Sequence, residues 1–380
     1  MLMIGMKLGW IVLESILLGY FLYFGSSAAF ALALVMILIP LCSVPVNLYV
    51  RTRLTMTVTT QSNLKKGDSG NFVLNIKNSS WFPVLRLYCR IHVENQLNRE
   101  CQTFRIQTWL SPGKEQQITL QTGSDYCGRL KISAAKVLAY DCFGLCGIPC
   151  KQDVVGYMTV QPDIFEPVIT LIPNTNSVED SDVYSQERPG NDLTETYQIR
   201  EYVPGDSPRQ VHWKLSNKFD RLIVRDPALP IIRTVLIFWE RTGESEDRDA
   251  IDAQAEIIVS LCKGLLDQSI QFTIGWNDTD RNLCILHEIR DMDELVGIIP
   301  RLMRATGRKE GVSGAELLLS TCGHALCGHM VYLAMEPQQG AAEMCRYGHV
   351  TMLLGGETSL AGARMFDPVN YKEQLSQIDL

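Results

Sequence analysis

Thr234-Val235-Leu236-Ile237-Phe238-Trp239 is a run of apolar and β-branched residues with no polar alternation. A strand with one wet face alternates; a continuous run predicts a strand covered on both faces. Residues 249–268 follow with Ile251, Ala255, Ile258, Val259, Cys262, Leu265 and Leu266 at helical spacing. Beyond them the pattern predicts strands over 270–276, 283–289, 329–334 and 349–354, and helices over 293–305, 313–321 and 340–347. Strand and helix in alternation imply a parallel sheet with helices on both faces.

Working back toward the N-terminus, residues 51–162 have a different habit. Arg53-Leu54-Thr55-Met56-Thr57-Val58-Thr59 alternates with period two. Stretches 72–76, 85–93, 103–110, 117–121 and 129–140 do the same. Lys66-Gly67-Asp68, Asn78-Ser79-Ser80 and Ser111-Pro112-Gly113 separate them. Short strands at this spacing predict an antiparallel β-sandwich. Residues 163–189, with Pro167, Pro173 and a polar stretch from Asn174 to Asp182, are expected to be a linker.

Residues 1–50 are apolar. Leu8 to Phe24 carries one carboxylate, Glu14, and Ala28 to Val50 carries no charge. A helix crossing the hydrocarbon core needs roughly twenty apolar residues, so the two runs predict a transmembrane hairpin turning at Gly25-Ser26-Ser27. Lys7 precedes it; Arg51, Arg53, Lys65 and Lys66 follow. The positive-inside rule then places both ends in the cytoplasm of a multi-pass membrane protein. Twelve scattered cysteines in 380 residues fit a reducing compartment. A net charge of −7 argues against a nucleic-acid module, which needs a basic face.

Polar chemistry concentrates in residues 195–226, ETYQIREYVPGDSPRQVHWKLSNKFDRLIVRD. Pro204-Gly205-Asp206 suits a type II turn. Asp206 is expected to cap a short helix from Ser207, with Pro208 in its first turn. Arg200, Glu201, Tyr202, Arg209, His212, Trp213 and Lys214 crowd around that turn. As a binding surface, Arg200, Arg209 and Lys214 would grip an anion and Trp213 and Tyr202 would anchor a partner. As an internal brace, Arg209 would pair with Asp206 or Glu201, and Trp213 would pack beneath a sheet.

The pattern Arg200-Glu201-Tyr202-x-Pro204-Gly205-Asp206-x-x-Arg209-x-x-His212-Trp213-Lys214, followed by Leu222-Ile223-Val224-Arg225, resembles the signature of the bacterial domain of unknown function 58 family. Weaker similarity covers the membrane hairpin, a β-rich segment ending in Asp141-Cys142-Phe143-Gly144-Leu145, and the C-terminal α/β part from residue 190 on, which resembles a von Willebrand factor A-like domain. The resemblance implies a membrane protein in gene clusters with a MoxR-type AAA+ ATPase and a transglutaminase-like membrane protein. It assigns no activity.

Three constellations are candidates for chemistry. Von Willebrand A domains hold a divalent cation in an Asp-x-Ser-x-Ser cup after the first strand. The matching place here has Glu240, Thr242 and Glu244, a degenerate set that implies no metal, because octahedral geometry tolerates little change in ligand length. Cys322, His324, Cys327 and His329, with Cys345 and His349 beyond, are thiols and imidazoles of the zinc-binding type, but the C-x-H spacing is unlike ordinary zinc sites. No motif marks a Cys-His catalytic pair. The expectation is a non-enzymatic membrane scaffold or adaptor without a cofactor. The alternative is a hydrolase or metal-dependent enzyme using the Arg200–Lys214 cluster.

Overall fold

The computed structural model describes every residue except 1, 142–145, 171–183, 204–206, 208–209, 231–234, 244–246, 323–328, 347–348 and 357–361. At 2–7, 184–197, 227–230 and 322 it describes the backbone alone. The chain has mixed α/β content and divides into two units, Met1–Gln161 and Pro162–Leu380.

The first unit opens with helices α1 (Leu2–Phe24) and α2 (Ser27–Arg53). Gly25 makes the break between them at φ +64°, a conformation glycine takes at no steric cost. Helix α2 is long and apolar enough to cross a membrane; the apolar part of α1, Leu8–Phe24, is shorter. Nine strands follow: β1 (Leu54–Thr60), β2 (Asn63–Lys65), β3 (Ser69–Asn78), β4 (Val84–Asn95), β5 (Cys101–Leu110), β6 (Glu115–Gly123), β7 (Gly128–Tyr140), β8 (Gly147–Pro149) and β9 (Val155–Gln161). They form two sheets, β1-β3-β6 and β2-β9-β7-β4-β5, with β8 against β7. Pairing is antiparallel except β2 with β9. The alternating residues Met56, Phe72, Leu74 and Ile76 of one sheet and Leu87, Ile91, Ile132 and Met158 of the other share one buried core. The three-residue strands β2 and β8 are too short to show alternation, and β9 buries Met158, Thr159 and Val160 in succession.

The second unit begins with β10 (Val168–Thr170), which lies in the stretch expected to be a linker. Strand β11 (Tyr184–Glu201), helix α3 (Trp213–Phe219) and β12 (Ile223–Pro230) come next. The order then runs β13 (Val235–Trp239), α4 (Arg248–Asp267), β14 (Phe272–Asp278), β15 (Leu283–Ile289), α5 (Met292–Leu302), α6 (Gly314–Cys322), β16 (His329–Ala334), α7 (Ala341–Met344), β17 (His349–Leu354), β18 (Arg364–Met365), α8 (Tyr371–Gln374) and β19 (Gln377–Asp379). The large sheet has the order β15-β14-β13-β16-β17-β18. Its pairs are parallel except β14 with β15, so the edge strand corrects the all-parallel expectation.

Strand β13 is buried along its whole length, as its unbroken apolar run requires. Trp239 points at α4, where its indole N–H donates to Gln254 Oε1 at 2.7 Å. Leu236 and Phe238 face the other way, into a core with Ala315 and Leu318 of α6 and Met344 of α7. Helix α4 is buried on more than its apolar stripe: every residue from Ala250 to Cys262 is covered. Its outer side is overlaid by chain from both ends of the unit. The amide of Phe165 donates to Ser260 Oγ at 3.1 Å, Gln268 Nε2 donates to the Ile169 carbonyl at 2.9 Å, and Tyr371 OH donates to Glu256. Strand β19 pairs with β10 in parallel over the same helix.

Candidate functional site

The signature residues fall on a separate two-stranded sheet, β11-β12, with α3 in its connection. Arg200 faces Val224 and Glu201 faces Ile223 across the ladder. Arg200 Nε lies 3.0 Å from Asp226 Oδ2, and Glu201 pairs with Arg221. These partners differ from those expected of a brace built on Arg209. Pro204, Gly205, Asp206 and Arg209 lie outside the described residues, as does the expected cap at Asp206. The described helix starts later, at Trp213. His212 is its N-cap, Nδ1 accepting from the Leu215 amide at 3.4 Å. Asp220 closes it in the left-handed conformation, which Asp tolerates better than most residues.

Ser216 fixes this helix to β12. Its hydroxyl donates to the His212 carbonyl and accepts the Ile223 amide at 2.9 Å. Val211, Ser216, Ile223 and Val224 of this unit are buried. The unit also exposes several large apolar side chains. Trp213 is 67% exposed, and Ile199, Phe219 and Leu222 are exposed with it; Tyr202 stands at the margin. Lys218 Nζ and the Arg221 guanidinium stand 5.7 and 6.0 Å from the Phe219 ring centroid, and Lys214 is exposed on the same helix. Trp213 therefore does not pack beneath a sheet. Lys218 and Arg221 are placed for cation–π contact with the Phe219 ring.

A second cluster sits at the carboxyl end of β13, where the strand order reverses between β13 and β16. Open sheets of this kind bind ligands at that position. Glu240 is buried there, and both its oxygens are engaged. Oε1 accepts the amides of Thr242 and Gly314 at 3.0 Å each. Oε2 accepts the Ala315 amide at 3.0 Å and the Tyr332 hydroxyl at 3.1 Å. Asn277 Nδ2 donates to Thr242 Oγ1 at 2.8 Å, and Thr242 Oγ1 donates to the Val312 carbonyl at 2.8 Å. Burial raises the Glu240 pKa, against the four donors that pull it down. Burial raises the Tyr332 pKa, and the Glu240 charge adds to that. Arg241 is fully buried, its Nε donating to the Ala305 carbonyl at 2.8 Å and its guanidinium 4.1 Å from the Trp239 ring centroid.

Glu240 and Thr242 thus come together, while Glu244 lies outside the described residues. The arrangement is a helix cap rather than an open cup. A carboxylate has about four lone-pair sites, and four donors fill them. The charge sits at the first turn of α6, where the helix dipole favours an anion. The amides of Gly314 and Ala315 lie 74 and 75 positions away in sequence, so only the fold brings them to Glu240.

Of the Cys/His candidates, His324 and Cys327 lie outside the described residues, as does the side chain of Cys322. His329 and His349 face each other across β16 and β17, with ring centroids 5.9 Å apart. His329 is buried, and its pKa is lowered by that burial and then by His349. Among the described residues no group of three or more His, Cys, Asp or Glu is placed to hold a metal ion.

No family model matches the chain, and no curated protein does. Solved structures are similar over short stretches. A CARDB domain from Pyrococcus furiosus is 13% identical over 28% of this chain and 91% of its own length, with a TM-score of 0.23. The alkylpurine DNA glycosylase AlkC from Pseudomonas fluorescens is 13% identical over 29% of this chain and 30% of its own, with a TM-score of 0.22. A β-glucosidase from Listeria innocua is 12% identical over 28% of this chain and 16% of its own, with a TM-score of 0.22. At these scores the likenesses assign neither a fold nor an activity to this chain.

Proposed function

We propose that the chain is a membrane-anchored scaffold or adaptor that works through protein contact at the β11-α3-β12 unit. The carrying observation is the exposure of Trp213, Ile199, Phe219 and Leu222 on a unit that already buries Val211, Ser216, Ile223 and Val224. Helix α2 supports anchoring by its length and hydropathy. The sheet order β15-β14-β13-β16-β17-β18 supports the von Willebrand A-like reading of the second unit, and the shared core of two sheets supports the β-sandwich reading of the first. With the resemblance to the domain of unknown function 58 family, the proposed partner is a MoxR-type AAA+ ATPase at the cytoplasmic membrane.

Affinity capture from detergent-solubilised membranes tests this reading with the intact chain and its Trp213→Ala and Phe219→Ala variants. The expected result is recovery of the ATPase by the intact chain and its loss with either variant, with melting unchanged. Undiminished recovery overturns the contact surface; a variant that no longer melts cooperatively makes Trp213 a brace. Turnover of a substrate by the purified chain would restore the enzymatic alternative.

A further inference from the structure

Helix α2 runs into β1 without an intervening loop, Arg53 being followed directly by Leu54. Its last turns are not available to lipid. Val50 is buried in the core of the β unit, Val46 packs against that core, and Asn47 is buried beside them. The span left outside, residues 27–45, is roughly 28 Å long at about 1.5 Å per residue. That matches a hydrocarbon core of about 30 Å. The bilayer boundary then falls near Val46, and the β unit abuts it.

The register shows which end of that unit abuts. Leu54 pairs with Asn78, Lys77 with Glu115, and Val84 with Leu110. The Ser79 amide donates to the Arg53 carbonyl at 3.0 Å, and the Asn78 amide to the Lys114 carbonyl at 3.0 Å. The loops at 79–83 and 111–114 therefore lie side by side around the foot of α2. Trp81 on the first is 86% exposed, with Phe82 and Leu85 exposed beside it, and Trp109 at the end of β5 is 66% exposed. Phe82 stands edge-on to Tyr49 of α2 at 6.2 Å between ring centroids, tying this cluster to the helix. Arg53 and Lys114 are exposed at the same end.

We infer that Tyr49, Trp81, Phe82, Leu85 and Trp109 form a seat that inserts into the lipid headgroup layer around α2, so that the β unit is held against the bilayer rather than swinging from it. Amphipathic rings favour the interface, where the body is apolar and the indole N–H stays wet. Arg53 and Lys114 face the anionic headgroups. Lipid is the occupant because the cluster is continuous with the helix that enters the bilayer. The inference rests on the anchoring proposed above.

The purified full chain is reconstituted into vesicles of phosphatidylcholine and phosphatidylglycerol, with and without lipid brominated high on the acyl chain. The readout is the emission lost between the intact chain and its Trp81→Phe/Trp109→Phe variant. The expected result is that brominated lipid quenches most of that difference emission, and that both proteins float with the vesicles after an alkaline wash. If both float but the difference emission is unquenched, the seat is wrong and the anchor stands. If neither floats, the anchoring fails and the seat with it.

Discussion

Glu240 accepts the Ala315 amide at 3.0 Å across 75 positions of sequence, and this bond joins the central strand β13 to the start of α6. With the Gly314, Thr242 and Tyr332 donors it makes one carboxylate the hub of the sheet's carboxyl edge. Glu240→Gln keeps the size but offers one accepting oxygen, so the amide nitrogen confronts two donors. Leaving buried donors unmet costs about 1–3 kcal/mol each. The variant is expected to lose about 2–4 kcal/mol of stability by denaturant titration. The intact chain is expected to give no micromolar heat with Mg²⁺ by calorimetry; a saturable signal would show that the cap opens to a cation.

Gly314 is fixed by the same contact. A Cβ there would stand 2.7 Å from Glu240 Oε1 and 2.7 Å from Asn277 Cγ, both of them buried partners. Gly314→Ala is expected to lower the melting temperature although Ala is the better helix former. An unchanged or higher melting temperature would mean that the cap yields freely.

Tyr371→Phe removes a donor from Glu256, which is fully buried and also lies 3.2 Å from Lys372 Nζ. A loss of about 1–3 kcal/mol is expected, the cost of weakening the hydrogen bonding of a buried charge. Lys372→Met is expected to cost less, because that ammonium is half exposed and screened.

His329 sets an acid limb on stability. Burial, then His349, lowers its pKa in the folded chain. Above the ordinary imidazole range both folded and unfolded chains carry it neutral, and the stability is intact. As pH falls below that range the unfolded chain takes the proton first, so stability is lost until the folded pKa is passed. The slope is at most about 1.4 kcal/mol per pH unit for one proton. His329→Gln is expected to flatten this limb in melts between pH 5 and pH 8, a window around the unperturbed imidazole value of about 6.5.

Thiol reactivity is expected to follow burial. Desolvation pushes Cys89 up to about 12, and raises Cys262 as well. Both are to resist a disulfide reagent until the chain unfolds, while exposed Cys101 and Cys345 react in the native state. Early labelling of Cys89 would show that the core of the first unit opens.

The large sheet was legible because Val235–Trp239 has no polar residue to face water, and β16 carries a similar apolar run after His329. The signature cluster was legible as a concentration of polar and aromatic residues, which suited a binding surface and an internal brace alike. Ser216, which holds α3 to β12, gives no signal at all, since a serine in a polar stretch looks solvated. The polar residues Asp252, Glu256 and Ser260 of α4 are buried as well, which the apolar spacing of that helix does not reveal.

Local periodicity marked the longer strands and helices of this chain, because apolar spacing along a segment reports that element's own burial. Partners distant in sequence were left to the fold: Phe165 and Tyr371 over α4, the amides of α6 on Glu240, and the aromatic loops gathered at the foot of α2. The physical reason is that a hydrogen bond or a burial needs two surfaces, and the pattern of one segment carries no information about which other segment will meet it.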